Sequence, residues 1–219
     1  MRVVEIFKSI EGEGVRAGEL ATFIRLAGCN LRCSYCDTPY ALKVSDGQDM
    51  TIDEILDKCE EFGTSNITLT GGEPLLLPES GRLIQELDRC GYNVNIETNG
   101  SKDISRATLY DGVFVTMDYK LPSSGVEGAM LTENFRYLRE QDVLKFVVGH
   151  GDLPRVREVI QKYEIFRPYI YLSPVHGQVS PAELVEFLKE LHEEKVSTAR
   201  MRVQLQLHKY IWPADMRGV

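Results

Sequence analysis

The chain has 219 residues, 43% hydrophobic and 26% charged, with a formal net charge of −8, so it can bury a substantial core and is expected to form a single domain over 1–219. The acidic balance excludes broad nucleic-acid binding, which depends on Lys and Arg neutralising phosphates, and no apolar stretch is long enough to span a bilayer. The opening residues 1–14 lack the basic-then-apolar layout of an export signal, so a cytoplasmic location is expected.

In chain order, short apolar runs predict strands over 21–27, 66–70, 92–97, 113–118, 143–148, 169–173 and 202–207. Helices are expected between several of them. Thr51 with Glu54 forms a capping box ahead of the Ile52, Ile55, Leu56, Cys59 stripe, and Ser180 with Glu183 repeats it with Pro181 in the first helical position. Two further helices fit 81–89 and 153–163. Strand, helix, strand at this spacing predicts βαβ units, hence an α/β fold with a largely parallel sheet, as a barrel or partial barrel. Ligands in such folds bind where strands end and the following loops begin. The loops after Ala27, Thr70, Glu97, Asp118 and Ser173 all fall at that end.

Three of the five cysteines, Cys29, Cys33 and Cys36, crowd into one loop, whereas Cys59 and Cys90 stand alone and read as packing residues. That spacing suits a metal or cluster better than a disulfide framework. Three thiolates can ligate three irons of a cubane and leave the fourth open. Structural zinc would need a fourth protein ligand, and the histidines are all remote in sequence. Thr70-Gly71-Gly72-Glu73-Pro74 follows a strand; its glycines permit close backbone approach to a ligand and Glu73 suits an ammonium group, although a plain turn is the alternative. Arg25 interrupts an apolar run and needs an anionic partner, either a substrate carboxylate or an internal Asp or Glu. From 201 to 208 polar and apolar residues alternate, so one face, with Gln206 and His208, lines a polar cavity or is an exposed edge.

The Cys29-x3-Cys33-x2-Cys36 loop resembles the motif of the radical S-adenosylmethionine (SAM) superfamily, and with it the fold is expected to be a partial or modified (β/α) barrel of that type. The resemblance implies a [4Fe-4S] cluster on Cys29, Cys33 and Cys36, with SAM cleaved at the open iron to a 5′-deoxyadenosyl radical. It also implies SAM contacts from Tyr35, Asp37, Gly72, Glu73, Glu97, Asp118, Tyr119, Lys120 and Ser173. Four segments, 7–14, 23–29, 36–38 and 204–210, together resemble the 7-carboxy-7-deazaguanine synthase family within that superfamily. This implies a carbon–nitrogen lyase that contracts the ring of 6-carboxy-5,6,7,8-tetrahydropterin with loss of ammonia, on the route to queuosine. Implied substrate contacts are Ile10, Glu11, Gly12, Glu13, Arg25, Thr70, Gln206, His208 and Val219, with Mg²⁺ at Thr38. Many relatives carry Gln where this chain has Glu11, so the bond made there is open. A homodimer and a flavodoxin or ferredoxin donor are expected partners. The rivals are a glycyl-radical activase and a non-catalytic zinc or iron–sulfur module.

Overall fold

The computed structural model describes residues 1–213 and 216–219. Its centre is a nine-stranded sheet formed by β1 (Arg2–Ile10), β2 (Leu20–Leu26), β3 (Gln48–Asp49), β4 (Asn66–Gly71), β5 (Asn93–Thr98), β6 (Val113–Tyr119), β7 (Val143–Val148), β8 (Tyr169–Pro174) and β9 (Met201–Val203), in the order β3-β1-β2-β4-β5-β6-β7-β8-β9. From β2 to β9 every neighbour is parallel; β1 runs antiparallel to both β2 and β3. The expected mostly parallel α/β sheet is therefore present. Among the described residues no helix is long and apolar enough to cross a membrane.

Helices α1 (Ile52–Phe62), α2 (Ser80–Arg89), α3 (Leu153–Lys162) and α4 (Pro181–Glu193) cover one face. Both capping boxes form: the Thr51 amide donates to Glu54 Oε2 at 2.7 Å and the Ser180 amide to Glu183 Oε1 at 3.0 Å, satisfying amides that a helix start leaves without partners. Period-two alternation then divides each strand. Ile67, Leu69, Val94, Ile96, Val115, Met117, Leu144 and Phe146 point to the apolar core with Ile55, Leu83, Leu87, Val156, Val159, Leu184 and Phe187. The opposite face carries Thr68 and Thr70, Asn95 and Glu97, Thr116 and Asp118, and Lys145. Cys59 is buried in the core and Cys90 is exposed at the end of α2.

Two expectations need correction. Strand β1 was not anticipated: its mixed Val3, Glu5, Lys8 pattern fits neither helical nor strand periodicity, and its pairing with β2 supplies what its own sequence does not signal. The last strand was expected over 202–207 but ends at Val203. The Gln204 amide still donates to the Leu172 carbonyl at 2.9 Å; the next ladder donor on β8 would be residue 174, but Pro174 has no N–H to offer the Gln204 carbonyl, and the pairing stops there. Residues after Gln204 cross to the first hairpin instead. The Leu207 amide donates to the Gly12 carbonyl at 3.0 Å, and the Gln204 side chain takes the Gly14 amide at 2.7 Å while donating to its carbonyl at 2.9 Å. The sheet thus curls into a partial barrel whose mouth is closed by 204–208, followed by the short α5 (His208–Ile211).

Candidate functional site

At the carboxyl ends of the parallel strands lies a cavity of about 280 Å³. Cys29, Cys33 and Cys36 reach it from the loop after β2, a loop held by its backbone. The Gly28 amide donates to Ala41 at 2.8 Å, Cys29 to Leu42 at 3.0 Å, and Ser34 to Ser124 at 3.0 Å. Cys29 Sγ accepts N–H bonds from the Leu31 amide at 3.4 Å and Asn99 Nδ2 at 3.7 Å. Burial pushes both the Cys33 and Cys36 thiols up, joined by the Cys36 and Cys29 sulfurs at the first and by Asp37 and Cys29 at the second. All three are free. Among the described residues no three Cys, His, Asp or Glu side chains converge tightly enough to enclose one metal ion; a cubane asks instead for one thiolate at each of three separate corners. Three cavity-facing thiols, one already receiving N–H donors as cluster thiolates do, make a donor set that fits an iron–sulfur cluster.

The Gly71–Gly72 pair brings the β4 loop against this one. Gly71 has φ +147°, and a Cβ on either glycine would overlap backbone, Leu26 at the first and the Gly28 carbonyl at the second. The Glu73 amide donates to Gly28 at 2.8 Å. The Glu73 carboxylate, 1% exposed, was expected to hold an ammonium group, but its oxygens are already taken. Oε1 accepts from the Leu75 amide at 2.9 Å and the Thr98 hydroxyl at 2.8 Å, and Oε2 from the Asn99 amide at 2.7 Å. It does not line the cavity. Its place is to clamp the β4 and β5 loops together, and so to position Asn99 against Cys29.

Most other anticipated residues do line the cavity: Tyr35, Asp37, Thr38, Gly72, Glu97, Asp118 and Lys120, and with them Ile10, Glu11, Gly12, Glu13, Arg25, Thr70, Gln206, His208 and Val219. Tyr119 is turned away. Strand alternation sends it to the core, where its hydroxyl donates to Glu127 at 3.1 Å and its ring packs near Phe135 and Phe146. Ser173 is fully buried, pairs in register with cavity-lining Val147, and has no partner for its hydroxyl among the described residues. Of the expected polar face of the last strand, only Gln206 and His208 reach the cavity; Gln204 clamps Gly14 and Arg202 bonds backbone carbonyls.

Arg25 meets an internal acid, Glu5, through Nε at 2.7 Å. Its two terminal nitrogens have no protein acceptor among the described residues, so the planar end of the guanidinium stays available to the cavity. Both readings of Arg25 thus describe part of it. Gly12 is required by close approach: a Cβ there would overlap the His208 ring. Burial pulls the His208 pKa down, which favours the neutral imidazole.

Lys145 escaped the sequence reading. It is 5% exposed, and Nζ lies 2.7 Å from Glu13, 3.3 Å from Glu97 and 3.3 Å from Asp118. Asp118 also meets Lys120 at 2.8 Å, and Gln206 Nε2 donates to Glu13 at 2.5 Å. Burial works against the Asp118 charge, but Lys120 and Lys145 outweigh it and hold its pKa below the usual range. The signal was present: a lysine inside Val143–Val148 breaks an apolar strand as Arg25 does. Phe7 and Phe23, stacked at 5.0 Å in the cavity wall, were also not singled out as site residues.

Residues 23–115 match the Radical SAM superfamily profile. The 7-carboxy-7-deazaguanine synthase of Clostridium acetobutylicum is 43% identical over 223 residues, covering 100% of this chain and 99% of the relative. That of Thermoplasma acidophilum is 34% identical, covering 100% of both. Among solved structures, QueE from Escherichia coli superposes with a TM-score of 0.71 at 23% identity, covering 94% of this chain and 93% of that one. Streptococcus suis SuiB bound to its precursor peptide shares the fold at TM-score 0.62 and 11% identity, covering 83% of this chain and 48% of SuiB. On full-length relatedness to these synthases, the chain belongs to the 7-carboxy-7-deazaguanine synthase family of radical SAM enzymes.

Proposed function

We propose that this enzyme converts 6-carboxy-5,6,7,8-tetrahydropterin to 7-carboxy-7-deazaguanine with loss of ammonia, the whole chain acting as one domain. The observation that carries this is that one cavity is lined both by three thiols and by a polar, aromatic set of side chains. Radical SAM membership implies a [4Fe-4S] cluster and SAM, which when bound supply the hydrogen-abstracting radical chemistry. Cys29, Cys33 and Cys36 hold the cluster. Tyr35, Asp37, Gly72, Glu97, Asp118 and Lys120 line the SAM compartment, with Ser173 beside it and Glu73 acting through the loops it clamps. Beyond them, Phe7 and Phe23 give the flat pterin a wall, while Ile10, Glu11, Gly12, Glu13, Thr70, Gln206 and His208 offer donors and acceptors to its edge. The free end of Arg25 suits the substrate carboxylate, since a guanidinium fork matches two carboxylate oxygens, and Val219 closes that side. The Thr38 hydroxyl, which donates to Asp37 at 2.9 Å, keeps lone pairs for Mg²⁺. A homodimer, a flavodoxin or ferredoxin donor and a cytoplasmic setting complete the reading.

Anaerobic turnover of the tetrahydropterin with SAM, followed by mass spectrometry of the product, tests it. Wild-type protein is expected to release the deazaguanine and 5′-deoxyadenosine, and Cys33→Ala neither. Intact substrate in both samples would overturn the proposal.

A further inference from the structure

Four carboxylates crowd together along the cavity wall: Glu11, Glu13, Glu97 and Asp118. Three have cations in contact. Glu13, Glu97 and Asp118 share Lys145, and Asp118 also takes Lys120. Glu11 is different. It is 3% exposed and makes no ion pair among the described residues. Around it are Glu13 from its own segment, Glu97 from β5, the Thr68 hydroxyl from β4 and Arg16 from the turn after β1. Asp118 from β6 and Lys145 from β7 stand behind Glu13 and Glu97, and His208 of α5 lies over Gly12. Arg16 is the one cation of this set on Glu11's side, and it is committed elsewhere: Nη1 donates to Asn66 at 2.5 Å and its guanidinium lies 4.5 Å from the Phe114 ring centre. The backbone of Glu11 is fixed, its amide donating to the Glu19 carbonyl at 2.8 Å and its carbonyl accepting from Gly18 at 2.8 Å, and its buried side chain is held by Thr68.

A buried carboxylate without a cation, facing two others, is more stable neutral than charged. We infer that Glu11 meets the bound substrate as a neutral carboxylic acid, donating an O–H to an acceptor atom on the edge of the heteroaromatic ring. Thr68 Oγ1 is paired with Glu11 Oε1, while Oε2 has no protein partner among the described residues; in the proposed state the Thr68 hydroxyl donates to Oε1 and the acid's proton stands on Oε2. Glu11 then presents a donor where an ionised glutamate would present only lone pairs. Burial, then Glu97 and Glu13, act in the same direction, pushing its pKa up to about 8. Ionisation above that value would turn a donor into an acceptor facing the ring's own acceptor, and binding would weaken. This inference rests on the proposed pterin substrate and specifies how one edge of it is read.

Two measurements on the reconstituted enzyme test it. Infrared difference spectra of wild type against E11Q, taken across pH, should show a carboxylic-acid carbonyl band at pH 7 that disappears with a midpoint near 8. In parallel, wild-type kcat/KM for the tetrahydropterin should fall about tenfold from pH 7 to 9 in excess of whatever fall E11Q shows, carried by KM more than by kcat. Carboxylate bands at pH 7, or an identical pH profile in E11Q, would overturn the inference. If wild type turned over no tetrahydropterin at all, the substrate assignment would fall, while the infrared band would still decide the state of Glu11.

Discussion

Replacing Lys145 by Met probes the charge network most directly. The lysine is 5% exposed and lies within 2.7–3.3 Å of three carboxylates. Met keeps most of the apolar stem, so the perturbation is chiefly electrostatic. Removing one partner of a buried ion pair costs about 3–5 kcal/mol, which for a protein of this size corresponds to a drop in Tm of roughly 6–20 °C. The loss must depend on pH. At pH 8 Glu13, Glu97 and Asp118 face one another with only Lys120 left to oppose them, whereas toward pH 5 Glu97, whose pKa burial already raises, takes up a proton and the repulsion relaxes. In the wild type the Lys145 pKa lies well above its ordinary value, although burial opposes its charge, because Asp118, Glu13 and Glu97 hold it charged. A group whose pKa is raised on folding contributes stability that is complete below the unfolded pKa, so the lysine stabilises fully over this range and the pH dependence of the variant belongs to the carboxylates. Thermal and urea unfolding of wild type and K145M at pH 5 and pH 8 would measure the difference. A loss below 1 kcal/mol at pH 8, or equal losses at both pH values, would refute the view that Lys145 acts by neutralising this cluster.

Gly72→Ala should cost about 2 kcal/mol or more by driving a Cβ into the Gly28 carbonyl, and because Gly28 precedes Cys29, iron and sulfide content per chain should fall with it. Glu73→Gln places an amide donor against one of the N–H or O–H groups the carboxylate now satisfies, so a loss of about 1–3 kcal/mol is expected, with weaker SAM binding in equilibrium dialysis. Tyr119→Phe removes one hydrogen bond to Glu127, worth about 0.5–1.5 kcal/mol, and SAM affinity in the same dialysis should not move.

Local sequence signals revealed much of the fold and less of how its ends meet. The strands from β4 to β8 were legible because each alternates a core-facing apolar residue with one facing the cavity, and the helices because Thr51 and Ser180 announce their starts. The final strand misled because alternation continues past the last residue that has a neighbour. A period of two says that a segment can pair; what ends the pairing is Pro174 of the neighbouring β8, which has no N–H to donate. The same period, applied to 118–120, would have shown that Asp118 and Tyr119 cannot point the same way.

The site was legible where a residue type is rare enough to need a reason. Three thiols in one loop and an arginine inside an apolar strand each demanded a partner, and each faces the cavity. Lys145 makes the same demand from β7, and the rule that singled out Arg25 applies to it without change. What the rule cannot supply is the partner: Glu13 lies 132 positions away, joined to Lys145 only because β1 and β7 curl around one mouth. Glu73 marks the opposite limit. A ligand-binding carboxylate and a carboxylate that clamps backbone amides require the same residue after the same two glycines, so sequence alone does not separate them. The hydrogen bonds do, since a carboxylate that already accepts three has little left for an incoming ammonium group. In this cavity the acids with cations in contact hold the walls in place. Glu11, which lacks one, is the acid left neutral, with a proton to offer the substrate.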